Sequence, residues 1–312
     1  MRERNISLDY FKLVMSVLVM TCHLQPLFET NNLLDWLLSN GIIRLTMPCF
    51  LMINGYFIYS KIDDPKAVYK YAKHVIILYL VWSLIYLPHF YNFPLKRLLI
   101  AIFSGYYHLW YIPALFIGVL LLFAAKRFIK RDSVLMALFL VLYFCGYFLQ
   151  FIVADFPVSN ACKLAIFRNG LFYGVPFLFL GYYVHKYEAK LSAIKNVHTY
   201  IAAFIGFVLV FYESYLSFFD RQIHDMLIVA PILCPIILVI LLKHSKFTAS
   251  DSYIGDLASG VYFTHVMAIT LMMGVFGVLM EYKIVYLAPV FFISMLLSVM
   301  VIELNKRIKL FL

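Results

Sequence analysis

The stretch Leu8–Leu27 reads LDYFKLVMSVLVMTCHLQPL. At about 1.5 Å per residue it makes a helix of about 30 Å, the thickness of a bilayer's hydrocarbon core. A helix apolar on nearly every face needs lipid as its solvent. Asp9, Lys12 and His23 interrupt it, and lipid tolerates such groups only where they turn towards protein. The run Met1-Arg2-Glu3-Arg4-Asn5 before it has the charge of a signal-peptide start. No small-x-small cleavage site follows, so the stretch is expected to remain as the first span.

The rest of the chain repeats this pattern. Of 312 residues, 64% are hydrophobic and only 13% charged, and the mean hydropathy is +0.89. A soluble domain carries about 25% charged residues. Too few polar residues exist here to cover a globule in water. The mostly polar stretches are short, Lys61–Tyr71 and Tyr187–Thr199 among the longest, and leave no room for a soluble catalytic domain.

The expected fold is therefore all-α: a polytopic transmembrane helical bundle forming one domain over residues 1–312. Ten windows are long and apolar enough to suggest spans: Leu8–Leu27, Trp36–Tyr59, His74–Tyr91, Leu109–Ala125, Ser133–Val153, Gly170–Val184, Tyr200–Phe219, Met226–Leu242, Leu257–Met280 and Ile284–Ile302. Leu98–Phe103 is too short to cross and is expected to lie in the interface or to re-enter.

Placing both termini in the cytoplasm puts 18 of the 26 Lys and Arg residues in cytoplasmic segments and 6 in outer loops; Lys12 and Arg44 stay inside spans. This bias follows the positive-inside rule and points to a multi-pass protein of the cytoplasmic membrane. It also makes membrane lipid, not nucleic acid, the natural counterpart of the net charge of +10. The five cysteines show no CxxC or metal spacing, so no metal is expected, and they read as small apolar packing residues. No HExxH, GxSxG, Walker or Gly-rich nucleotide motif is present.

The site candidates are the polar residues that lipid disfavours. Lys12 and His23 are eleven residues apart, about three turns plus 20°, so both face one side of the helix, about 16 Å apart. That distance resembles the reach of a pantetheine arm, which suggests acyl-CoA as a co-substrate: a cation holds its phosphates while the thioester lies near the imidazole. His23 is then the candidate general base, its unperturbed pKa near 6.5 suiting the task; the alternative is a packing histidine. Arg44 precedes Thr46-Met47-Pro48, where proline is expected to kink the second span and free a carbonyl. Asn54 offers a donor and an acceptor, Gly55 allows another backbone or a ligand to approach, and Tyr56 follows. Lys12, Arg44, Asn54 and Tyr56 form the candidate acyl-CoA set. His108, Trp110, Arg168, Asn169, Glu213 and His265 form a candidate acceptor or second polar site. An aromatic belt around Trp110 and a plain flanking charge at Arg168 are the ordinary alternatives.

Four ordered stretches carry a family resemblance: Leu8-Asp9-Tyr10-Phe11-Lys12, then ten residues, then His23; Met47–Phe57; His108–Leu115; and Gly260–His265. In these the chain resembles the acyltransferase 3 family of integral membrane proteins. The resemblance implies transfer of an acyl group, usually acetyl, from acyl-CoA to a hydroxyl of a carbohydrate or other envelope molecule, with His23 in the catalytic position. The family usually carries arginine at Lys12 and often serine at Asn54. Tyr107–Tyr111 and Arg168–Phe172 also resemble the membrane half of membrane-bound serine racemases of vancomycin-resistance clusters. That likeness implies a module that binds or transports L-serine, with Arg44 or Arg168 on the carboxylate.

Overall fold

The computed structural model describes residues 4–27, 32–220, 225–244, 248–249, 252–276 and 283–312. These are almost wholly helical. The helices are α1 (Ile6–Leu24), α2 (Asn32–Ser39), α3 (Thr46–Ile58), α4 (Pro65–Tyr86), α5 (Leu95–Ser104), α6 (Tyr111–Phe128) and α7 (Asp132–Ala154). They continue as α8 (Asn160–Phe167), α9 (Val175–Lys186), α10 (Glu188–Ser192), α11 (Asn196–Asp220), α12 (Ala230–Lys243), α13 (Tyr253–Phe276) and α14 (Lys283–Ile308). A two-residue antiparallel pair, Arg4–Asn5 with Thr248–Ala249, stands beside them.

Each of the ten expected windows overlaps a helix, with residues 277–280 of the Leu257–Met280 window lying outside the described residues, but the number of candidate spans among the described residues is eight, or nine if one bent pair counts as a span. Two windows account for the difference. Asn160–Phe167 and Gly170–Lys186 form the bent pair, turned by 45° where Asn169 caps a π-turn at Gly170–Gly174. The window Met226–Leu242 yields only the 14 residues of α12, about 21 Å of helix and short of a hydrocarbon core of about 30 Å.

The residues just before α12 show why it is short. Gln150 donates to the Met226 carbonyl at 2.9 Å and accepts from the amides of Asp225 and Met226 at 3.1 Å each. Tyr143 donates to the Leu227 carbonyl at 2.7 Å. Non-helical backbone at membrane depth survives only where protein groups satisfy it, and two α7 side chains do so here.

The second window is likewise not one helix. Its chain runs as α2, a 3₁₀ turn at Ile42–Leu45, and α3. Pro48 does not kink a span: it sits in the first turn of α3, where a missing N–H costs nothing. The short Leu98–Phe103 segment lies in α5, ten residues long. Gly105, at φ 93°, then turns the chain into the 3₁₀ turn Tyr107–Trp110, and a Cβ there would stand 2.4 Å from the Trp110 nitrogen.

The chain divides into two compact units. The first comprises Met1–Thr46, Phe204–Ile223 and Ile240–Leu312. In it α1 packs on α13, and α13 on α14. The asparagine Asn5 caps α1 by accepting from the Leu8 amide. Gly260 lies against Ser298, and Thr264 bonds to the Gly260 and Ser294 carbonyls. Small and hydroxylated residues thus join α13 to α14, the usual means of helix association where lipid removes the hydrophobic drive. Met20, Leu24, Ala268, Met272, Tyr286 and Val290 form an apolar cluster of this unit.

The second unit comprises Met47–Ala203 and His224–Val239. Its α3 and α9 cross backbone to backbone. A Cβ on Gly55 would lie 2.0 Å from the Leu178 carbonyl oxygen, and one on Gly181 would lie 1.9 Å from that of Met52. The partner that Gly55 admits is therefore a helix backbone. The five cysteines are all free thiols, with Cys49 and Cys234 buried.

Candidate functional site

The first unit holds a polar stripe on α1. Asp9, Lys12, Ser16 and His23 recur at helical spacing on one face. Lys12 Nζ donates to Asp9 Oδ1 at 3.1 Å, with Asp9 4% exposed. Ser16 is fully buried and its hydroxyl reaches the Ala258 carbonyl of α13 at 2.8 Å and the Lys12 carbonyl at 3.0 Å. His23 stacks on His265 of α13, ring centroids 5.3 Å apart and planes 21° from parallel. The other face carries Tyr10 and Val14, 54% and 55% exposed. The stripe thus faces α13, while the apolar face is left for lipid.

His265 is wholly buried, and its Nδ1 lies 3.2 Å from the Val261 carbonyl oxygen. A proton on Nδ1 lets that nitrogen donate to the carbonyl, which leaves Nε2 with the ring's lone pair. Arg44 stands on the 3₁₀ turn that packs against α1, with Nη2 donating to Asn40 Oδ1 at 3.0 Å. Glu213, on α11, is 9% exposed in the same unit. Trp36 donates to Ser217 at 2.9 Å and ties α2 to α11.

The other candidates belong to the second unit. Asn54 donates to the Phe50 carbonyl at 2.9 Å and to the Tyr111 hydroxyl at 2.7 Å, and accepts from the Tyr71 hydroxyl at 2.8 Å. One amide thus links α3, α4 and α6. The Tyr56 hydroxyl donates to Glu188 Oε2 at 2.7 Å, and its ring lies 4.4 Å from that of His185.

His108 is 2% exposed, with its ring edge-on to Tyr86 at 5.0 Å. Arg168 makes two hydrogen bonds to the buried Asp225 carboxylate, and its guanidinium lies 4.7 Å from the Trp110 ring. Tyr173 closes edge-on against the same ring at 5.4 Å. Asn169 accepts from the Leu171 and Phe172 amides and donates to the Ala165 and Ile166 carbonyls, so it caps the π-turn.

The structure therefore joins Lys12 to Asp9, His23 to His265 and Trp110 to Arg168. Sequence reasoning passed over Tyr71, Asp225 and Glu188. Each lies near a window end, where polar residues are ordinary, and only a partner distant in sequence shows its use.

The model of the acyltransferase domain matches residues 5–303, nearly the whole chain and every candidate named above. The chain belongs to the acyltransferase 3 family. Its curated relatives include an amino-acid racemase of Enterococcus faecalis, 27% identical over 295 residues, covering 87% of this chain and 42% of the relative. A second E. faecalis amino-acid racemase is 29% identical, covering 73% of this chain and 34% of the relative. A serine/alanine racemase of Enterococcus gallinarum is 28% identical, covering 71% and 35%. This acyltransferase-family chain thus spans less than half the length of the curated relatives it matches. No solved structure matches it.

Proposed function

We propose that the chain is a membrane O-acyltransferase that moves an acyl group, acetyl in the first instance, from acyl-CoA to a hydroxyl of a carbohydrate or other envelope molecule. One observation carries the reading: in a chain of this family, the α1 stripe turns His23 onto His265 inside the protein and keeps Lys12 on the same face.

His23 accepts the proton of the acceptor hydroxyl as that oxygen attacks the thioester carbonyl. The C–O bond forms, the tetrahedral oxyanion collapses, the C–S bond breaks, and the proton on His23 passes to the departing thiolate. Arg44, on the turn against α1, is the nearby cation suited to steady the oxyanion. Lys12, held in place by Asp9, attracts the phosphates of CoA.

The test is acyl transfer from labelled acetyl-CoA by the protein in lipid nanodiscs. His23→Ala lowers turnover at least about 100-fold, the lower bound for a general base, while inserting and melting like the parent. Full turnover in that variant rejects the mechanism.

The relatives' names favour a second reading, a module that binds or transports an amino acid such as L-serine. Arg168 is its carboxylate-binding candidate, but that guanidinium already binds Asp225 and stacks on Trp110. L-serine uptake into proteoliposomes without acyl-CoA supports this reading; acetyl-CoA hydrolysis by the same preparation counts against it.

A further inference from the structure

Within the second unit, the connection between α6 and α7, the start of α7 and the end of α9 with Tyr187 beyond it line an open cavity of about 540 Å³. Lys130, Arg131, Asp132, Ser133, Tyr183 and Tyr187 line it, with Met136 as the apolar part of the wall. No candidate for acyl transfer lies among these residues.

The charges are unevenly matched. Asp132 is neutralised by Lys186 at 2.5 Å and accepts from the Tyr187 hydroxyl at 3.0 Å. Lys126, on the same side, donates to the Tyr182 hydroxyl at 2.7 Å and lies over its ring at 4.6 Å. Lys190 lies over the Tyr187 ring at 5.8 Å. Lys130 and Arg131 remain exposed at the rim, and neither meets a carboxylate among the described residues. The cavity therefore presents two cations without a carboxylate partner among the described residues, beside two tyrosines and an aspartate already paired with Lys186.

Its position indicates the source of the anion. Phe128 closes one candidate span and Asp132 opens the next, so the cavity stands at the level where lipid headgroups meet water. Phe128, 87% exposed, and Val134, 47% exposed, flank the basic residues and need acyl chains around them. We propose that this cavity holds the phosphodiester headgroup of an anionic phospholipid, with Lys130 and Arg131 on the phosphate and Met136 beside the glycerol. Basic pockets between spans are suited to such headgroups.

The experiment is native mass spectrometry of the purified full chain with phosphatidylglycerol, phosphatidylcholine or soluble glycerol phosphate. The parent protein retains phosphatidylglycerol over phosphatidylcholine. Lys130→Ala/Arg131→Ala reduces that preference by roughly 25-fold, taking about fivefold per basic residue near the lipid surface. Lys96→Ala/Arg97→Ala on α5 keeps the preference and controls for general charge, and thermal unfolding confirms that both variants fold. An undiminished preference in the first variant overturns the proposal. Displacement of the lipid by millimolar glycerol phosphate overturns the lipid assignment in favour of a soluble phosphate.

Discussion

Gly181→Ala tests the backbone crossing of α3 and α9. The added Cβ would stand 1.9 Å from the Met52 carbonyl oxygen and 2.8 Å from the Tyr56 nitrogen, where real Cβ contacts do not fall below 3.0 Å. The obstructing atoms are backbone, so no side chain can swing aside. The two helices must part by at least 1.1 Å, the difference between 3.0 and 1.9 Å. Overpacking of this kind costs about 1–3 kcal/mol. Lipid supplies no hydrophobic force to close the gap, so the close packing lost along the seam adds to that cost. At about 2 °C per kcal/mol for a chain of this size, the midpoint of thermal unfolding in nanodiscs falls by about 2–6 °C. Gly274→Ala is the control. A Cβ at Gly274 of α13 meets nothing within 4 Å, so the helix-forming gain of alanine, about 1 kcal/mol, acts alone. Equal midpoints for the two variants refute the idea that α3 and α9 cross through their glycines.

Four further outcomes are expected. Arg168→Ala leaves the buried Asp225 carboxylate unpaired and lowers stability by about 3–5 kcal/mol; adding Asp225→Ala recovers part of the loss in a double-mutant cycle, and simple additivity refutes the pairing. Gln150→Leu strips the partners from the Asp225 and Met226 backbone, costing about 1–3 kcal/mol for each buried group left unsatisfied; hydrogen exchange at residues 225–227 rises, and unchanged exchange contradicts the assignment. Lys12→Ala raises KM for acyl-CoA more than it lowers kcat, whereas Lys12→Arg keeps KM near the parent value; equal KM for all three removes Lys12 from phosphate binding. The hydrogen bond that Tyr187 donates to Asp132 raises its phenol above the ordinary value of 10.0. The bond thus contributes below pH 10 and is lost as pH climbs through the raised value. Alkaline absorbance titration of the parent therefore shows a component above pH 10 that Tyr187→Phe lacks, and superimposable curves exclude it.

Much of the helical outline was legible because lipid imposes a one-dimensional rule. Every backbone group must be satisfied within its own segment, so about 20 apolar residues announce a helix wherever they occur. The rule misleads where side chains satisfy the backbone instead. Gln150 and Tyr143 hold the chain before α12, and nothing in the Met226–Leu242 window reveals it. Pro48 resembles a kink until α3 is seen to begin two residues before it.

The candidate site divides in the same way. Helical spacing alone places Lys12, Ser16 and His23 on one stripe of α1, since 3.6 residues per turn is a property of the chain and not of its neighbours. That His23 meets His265, that Asp225 binds Arg168, and that Gly55 admits a helix depend on residues tens to hundreds of positions apart. Composition and periodicity determined that this protein lives among lipid acyl chains and which face of α1 is polar. Only the packed structure decided which polar faces meet, because side-chain contacts across a bundle depend on how the helices cross, and local sequence does not specify that crossing.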